Sequence, residues 1–362
     1  MTQQQPPTSQ ERRNATRRSK HPYHMYDAIQ RQPQAMAEML TKHADRVTKV
    51  AATIKGKRRL YLVGIGTSWH AALVGEYWFR RMAPNSLEVQ AWHSFEFHSY
   101  PPKVGPDDAV LVISHRGTKT YSFLALEQAK AAGAYTISIT SNQPGQRIQV
   151  ADDVLNTVDA EVSAAFTISY TSALMVLGML ASALTEEGSD RAAANAGLAK
   201  VPEVAGRVLS GGDSIREAAD RFQDRKRFIC VAAGPNTANA YEVALKMKET
   251  SRADSEGYPC GATAARPFLR GGRALPGNPG SAAWPRLLSG SRRSPGLSRR
   301  RGTRVGFGTR RGHSAFCGGH RGVPSAGGRG AVESLNIRST VATVYLLPVP
   351  CSWYPTRPLS AG

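Results

Sequence analysis

Short runs of apolar and β-branched residues alternate with helical patterns through the first two-thirds of the chain. Arg59–Gly64 (RLYLVG) and Ala109–Ile113 (AVLVI) each pass through a loop into an amphipathic or Ala-rich stretch. Ala134–Thr140 (AYTISIT) follows as a third run, with Glu88–Ala91 and Val154–Val158 as shorter candidates. The runs are continuous rather than alternating, which is the pattern of strands buried on both faces. Strands of that kind, alternating with helices, predict an α/β fold with a parallel sheet covered on both sides. Thr167–Leu184 reads as a long apolar helix, interrupted by Ser and Thr and short of a clean membrane span.

The flanking segments have different characters. Residues 1–20 are polar and basic, with no apolar core of a signal peptide, and read as a disordered tail. Residues 21–58 read as helices, with Met25, Ile29, Met36, Met39 and Leu40 at helical spacing and Pro33 as the break. The main α/β unit spans 59–190, and a polar, Ala-rich helical connection spans 191–224. Arg227–Ala232 (RFICVA), Gly234 and a helix from about Thr237 to Ser251 then repeat the strand–Gly–helix grammar, so 225–259 reads as the start of a second unit.

Charge is distributed unevenly. The chain has 47 Lys and Arg against 27 Asp and Glu, a net +20, which taken whole points to nucleic acid or an anionic membrane. Residues 261–362 alone supply +15, with 16 Arg, no Lys, no Asp and only Glu333 as an acid. That stretch also holds 18 of the 34 Gly and 10 of the 22 Pro, too little patterned apolar sequence for a core. The remaining body is only mildly basic, so neither a nucleic-acid nor a membrane partner is expected. Cys230, Cys260, Cys317 and Cys351 show no CxxC spacing, and the histidines show no ligand spacing, so no metal is expected. A cytoplasmic location is the default for such a chain.

Two loops carry the composition of an anion site. Gly64-Ile65-Gly66-Thr67-Ser68 offers backbone N–H groups and two hydroxyls at a helix start. Ser114-His115-Arg116-Gly117-Thr118-Lys119-Thr120 adds hydroxyls and two cations at another. Open parallel sheets bind ligands at such strand ends, and a small phosphorylated ligand is the inference. Ser and Thr serving as plain helix caps is the ordinary alternative for either loop alone. The pattern lacks the third glycine and ribose acid of a dinucleotide site and the GxxxxGK[ST] of a P-loop, so no cofactor is expected. In Tyr241–Glu256, Glu242, Lys246 and Glu249 share one helical stripe. That stripe is either a solvated face or a carboxylate base held beside a lysine. His70, His93 and His98 read as capping or solvent-facing; His115 alone lies in a ligand loop.

Together, Arg59–Ser68, Val112–Thr120, Glu161–Leu180 and Glu242–Pro259 resemble the sugar isomerase (SIS) family. The nearest likeness is the isomerase half of the glutamine–fructose-6-phosphate aminotransferases, over about 21–259. The resemblance implies flavodoxin-like three-layer αβα lobes, usually in homodimers, that bind a phosphorylated sugar or amino sugar. It implies that Gly66, Thr67 and Ser68 line the sugar site. Ser114, His115, Arg116, Gly117, Thr118, Lys119 and Thr120 occupy the family's phosphate loop, Ser-x-Ser-Gly-x-Thr, with hydroxyls replaced by cations. Glu249 matches the base that moves a proton between C1 and C2, and Lys246 its neighbouring lysine. The glutaminase domain and its cysteine are not in this sequence, so the expected chemistry is isomerisation or amination without glutamine. Deamination or deglycation, and a non-catalytic sugar-phosphate sensor, are the alternatives.

After Pro259 the family continues to a His-Gly-Pro whose histidine serves ring opening. Cys260–Pro267 (CGATAARP) has no such histidine. One permitted set of codons for these residues, read one base later, encodes Ala-Glu-Gln-Leu-Leu-His-Gly-Pro. Residues 260–362 are therefore expected to be out of frame and unstructured, with the second lobe only begun.

Overall fold

The computed structural model describes residues 18–260. The expectations for the basic tail before residue 18 and for 261–362 lie outside the described residues.

Three helices lead in: α1 (His24–Gln30), α2 (Gln32–Lys42) and α3 (Ala44–Lys55). The sequence placed one break at Pro33. The break falls instead at Arg31, and Pro33 sits in the first turn of α2, where its missing N–H has no partner to lose. A second break at His43 has no Gly or Pro to announce it.

The five expected strands follow as β1 (Arg59–Gly64), β2 (Glu88–His93), β3 (Asp108–Ile113), β4 (Tyr135–Thr140) and β5 (Asp153–Asn156). All pair in parallel, in the order β2-β1-β3-β4-β5. This is the flavodoxin-like order, in which the chain reverses its direction of travel between β1 and β3. Helices α4 (Thr67–Met82), α5 (Ser94–Ser99), α6 (Thr120–Ala131) and α7 (Ile168–Leu184) connect and cover the sheet.

Alternate side chains of each strand feed opposite cores. Leu60, Leu62, Ala109, Leu111 and Ile113 pack with α3, α4 and α7 on one side. Tyr61, Val63, Val110 and Val112 pack with Phe97 of α5 and with Ala125, Leu126 and Ala129 of α6 on the other. Every residue of α7 except Ala183 is buried, so this helix is apolar all round because protein surrounds it. No helix among the described residues is long and apolar enough to cross a membrane.

Two further helices, α8 (Ser189–Ser210) and α9 (Gly212–Phe222), lead to β6 (Arg227–Ala232), α10 (Asn236–Ser251) and β7 (Asp254–Pro259). Strands β6 and β7 form a separate parallel pair. Met247 and Val243 of α10 cover one side through Phe228. On the other side Ile229 and Val231 are each 46% exposed.

Candidate functional site

The loops after β1 and β3 flank the point where the strand order reverses, the position at which open α/β sheets take their ligands. The first is built by close approach. A Cβ on Gly64 would stand 2.4 Å from the Ser68 carbonyl, so only glycine lets α4 begin so near the strand. Gly66 precedes α4 with φ +58°, a conformation that a side chain disfavours. Thr67, Ser68, His115, Thr140, Phe166 and Tyr170 are among the residues around a small depression here.

In the second loop Ser114 is buried and its Oγ has no hydrogen-bond partner. His115 is also buried, and its Nε2 accepts the Glu161 backbone N–H at 2.9 Å. Burial, reinforced by the Arg116 charge, lowers its pKa to about 4, so the ring is neutral and carries its proton on Nδ1. Arg116 donates from Nη2 to the Glu161 carbonyl at 2.6 Å and the Ser163 carbonyl at 3.2 Å. Its guanidinium carbon lies 4.8 Å from the Phe166 ring centre. Gly117 turns the chain with φ +63°, and Thr118, Lys119 and Thr120 are exposed as α6 begins. His115 and Arg116 thus tie the loop to residues 161–166.

Glu161 anchors that segment from within. Its buried carboxylate accepts the backbone N–H and the hydroxyl of both Thr167 and Ser169, capping α7. Burial outweighs those donors and holds its carboxyl above the ordinary range.

The charged stripe on α10 is turned inward. Glu242 and Lys246 are 3% and 1% exposed, which removes the solvated-face alternative for both. Thr67 Oγ1 donates to Glu242 Oε1 at 3.0 Å and accepts from Lys246 Nζ at 3.0 Å. His70 Nδ1 lies 2.6 Å from Glu242 Oε2. Lys246 Nζ reaches Glu249 Oε2 at 2.6 Å and Glu242 Oε1 at 3.2 Å. The Glu249 side chain is 37% exposed, the open end of the cluster. Burial opposes the charge on Glu242, but the Lys246 ammonium and the His70 and Thr67 contacts win and hold its carboxyl below the ordinary range. Burial likewise opposes the charge on Lys246, and the two carboxylates raise its pKa above the usual lysine value.

The expected residues therefore fall into two groups. Gly66, Thr67 and Ser68 meet Glu242, Lys246 and Glu249 through Thr67. Ser114 to Thr120 form the second group, on the loop that follows β3. Sequence reasoning missed His70, which is buried against a carboxylate rather than facing solvent. The available signal was its spacing of three from Thr67, which puts both on one face of α4.

The fold is a doubly wound α/β sheet with its polar side chains gathered at the strand reversal. Residues 53–183 match the family model described as the SIS domain. Among curated proteins, the chain is 34% identical over 212 residues to the glutamine–fructose-6-phosphate aminotransferase (isomerizing) of Chlorobaculum tepidum, covering 57% of this chain and 34% of that one. The enzyme of the same name from Aquifex aeolicus is 30% identical over 239 residues, covering 66% and 39%. The chain thus spans between a third and two-fifths of these relatives' length. Among solved structures, the C-terminal domain of the Francisella tularensis glucosamine-fructose-6-phosphate aminotransferase has the same fold. The match has a TM-score of 0.60 at 18% identity, over 66% of this chain and 70% of that one. The glucosamine-6-phosphate deaminase of Thermotoga maritima matches with a TM-score of 0.54 at 20% identity, over 65% and 70%.

Proposed function

We propose that the chain binds a phosphorylated sugar or amino sugar at the β1/β3 strand ends and moves a proton between its C1 and C2. The observation that carries this is the cluster of buried Glu242 and Lys246 with the exposed Glu249, hydrogen-bonded through Thr67 to the Gly66–Ser68 loop. Ser68 and the exposed Thr118, Lys119 and Thr120 at the start of α6 are the groups for the phosphate. Glu249, as carboxylate, takes the proton from C2 of an aldose. The C–H electrons form the C1–C2 double bond of an enediol as the carbonyl oxygen is protonated. Glu249 then returns its proton to C1 while the O2 hydroxyl gives up its proton to solvent, replacing the one O1 took, and C2=O of the ketose forms.

An ammonium has three N–H bonds, and those of Lys246 have three acceptors, in Thr67, Glu242 and Glu249. Its part in this reading is to fix Glu249 in place, without touching sugar. Ser114, at the start of the loop, is buried, and Arg116 holds the loop to residues 161–163. The reading places the chain in the cytoplasm as a homodimer, with β6, α10 and β7 as the opening of a second SIS lobe.

The test is solvent deuterium exchange at C1 and C2 of fructose 6-phosphate, glucose 6-phosphate and glucosamine 6-phosphate, followed by NMR. Exchange is expected, and Glu249→Gln should abolish it. Exchange that survives that substitution rejects the base, and ammonia release from glucosamine 6-phosphate would assign the deaminase direction. We propose further that the reading frame slips by one base near codon 259. DNA sequence across codons 255–270 that confirms one unbroken frame rejects the slip.

A further inference from the structure

We propose that His70 is a positioning residue that fixes the Glu242 carboxylate and, through it, the Lys246–Glu249 pair. This deepens the reading of Glu249 as the base and rests on it.

The two oxygens of Glu242 have separate tasks. Oε1 takes the Thr67 hydroxyl at 3.0 Å and stands 3.2 Å from the Lys246 ammonium. Oε2 is held by His70 Nδ1 at 2.6 Å. The terminal torsion of a glutamate side chain is broad, so one held oxygen leaves the carboxylate free to swing about its own axis. The His70 contact removes that freedom. The Glu242–Lys246 contact, at 3.2 Å, is longer than the Lys246–Thr67 and Lys246–Glu249 contacts, and is the one most exposed to such a swing. With Glu242 out of place, Lys246 keeps only Thr67 and Glu249 and loses one of the three contacts that fix its ammonium. An ammonium held at fewer points no longer keeps the Glu249 carboxylate in one place, and the proton-transfer geometry is lost.

Geometry also excludes a direct role. His70 is 7% exposed and lies one turn beyond Thr67, beside Trp69 and Tyr241, with ring centres at 5.6 and 6.0 Å. Its effect belongs in turnover and not in sugar affinity.

Isosteres separate this role from packing. In a His70→Asn variant the new amide nitrogen falls near the position of Nδ1, and in a His70→Gln variant it falls near Nε2. Both changes are polar and similar in size, so both disturb packing alike. In the full chain, His70→Gln and His70→Leu are expected to lower kcat for C2 exchange by about tenfold to a hundredfold with KM within about twofold. His70→Asn is expected to stay within about threefold of the unsubstituted chain in kcat. Equal losses in the Asn and Gln variants, or a fall carried by KM, would overturn the assignment.

A second readout needs no turnover. The Lys246 ammonium, buried and bonded to three acceptors, should give a slowly exchanging proton–nitrogen NMR signal. That signal should persist in His70→Asn and broaden in His70→Gln. If it does so while no sugar phosphate exchanges, the positioning role stands and the proposed reaction falls. If exchange occurs and the signal is indifferent to both changes, the positioning role falls and the reaction stands.

Discussion

Replacing Lys246 by Met tests whether the charged cluster is as closed as its geometry says. The substitution keeps most of the length of the side chain and removes one charge. It leaves the Glu242 carboxylate, 4% exposed, with only Thr67 and His70. Breaking a buried pair from one side costs about 3–5 kcal/mol, because the remaining charge stays desolvated. Against a total stability of about 5–15 kcal/mol, that raises the unfolded fraction by about a hundredfold or more. Removing both charges, as Glu242→Leu with Lys246→Met, should recover more than half of the loss, since two well-packed apolar chains can replace such a pair.

Urea unfolding followed by tryptophan fluorescence measures this directly, because the Trp69 ring lies parallel to Tyr241 and 5.6 Å from His70. The pH dependence carries a sign. Glu242 has a lowered pKa, so its contribution is present above the unfolded glutamate value of about 4.3 and fades as pH falls through the folded one. Lys246 has a raised pKa, so its contribution is present below about 10.4 and fades as pH rises through the folded value. Without Lys246, burial dominates at Glu242 and the acid slope reverses, the variant gaining stability as pH falls. A cost under about 1 kcal/mol, or an acid slope like that of the unsubstituted chain, refutes the reasoning.

Three other outcomes are expected. Gly64→Ala, which would set a Cβ 2.4 Å from the Ser68 carbonyl, should cost about 3 kcal/mol or more in urea melts, and a cost near zero would show that α4 can slide off the strand. Asp108 is clasped by Arg59 at 2.8 and 2.9 Å, so its pKa is lowered in spite of burial; Asp108→Asn should cost about 1.5–3 kcal/mol at neutral pH and flatten the stability otherwise lost below about pH 4. Phe166→Ala removes the ring beside Arg116 and His115 and should speed amide hydrogen exchange across 161–167 while leaving α6 unchanged; unaltered exchange there would deny that the ring pins the segment.

The sheet was legible because its strands are buried on both faces. Runs such as LYLV and AVLVI need no partner to be recognised, and β1 and β6 fall where the pattern placed them. Strand β7 was not legible. Its sequence, DSEGYP, has no apolar run, and it is a strand because its backbone pairs with β6. The Glu242–Lys246–Glu249 stripe could be seen, but not the way it faced. What turns it inward is Thr67 and His70, more than 170 residues away, and no local pattern marks that meeting. Arg116 was legible as a cation in a phosphate loop, and its bonds to the 161 and 163 carbonyls were not. Those acceptors are main-chain atoms, which every residue type supplies.

The polar cluster between α4 and α10 has a consequence for anyone who changes this chain. Thr67 and His70 belong to the five-stranded body, while Glu242, Lys246 and Glu249 belong to the helix that follows β6. The side chains proposed to position the base are therefore also the adhesive between two successive segments of the polypeptide. A library that randomises them in search of new substrates will mostly recover clones that fail to accumulate, and will score them as inactive. Screening such a library requires yield to be measured beside turnover, or the two causes of failure will be confounded.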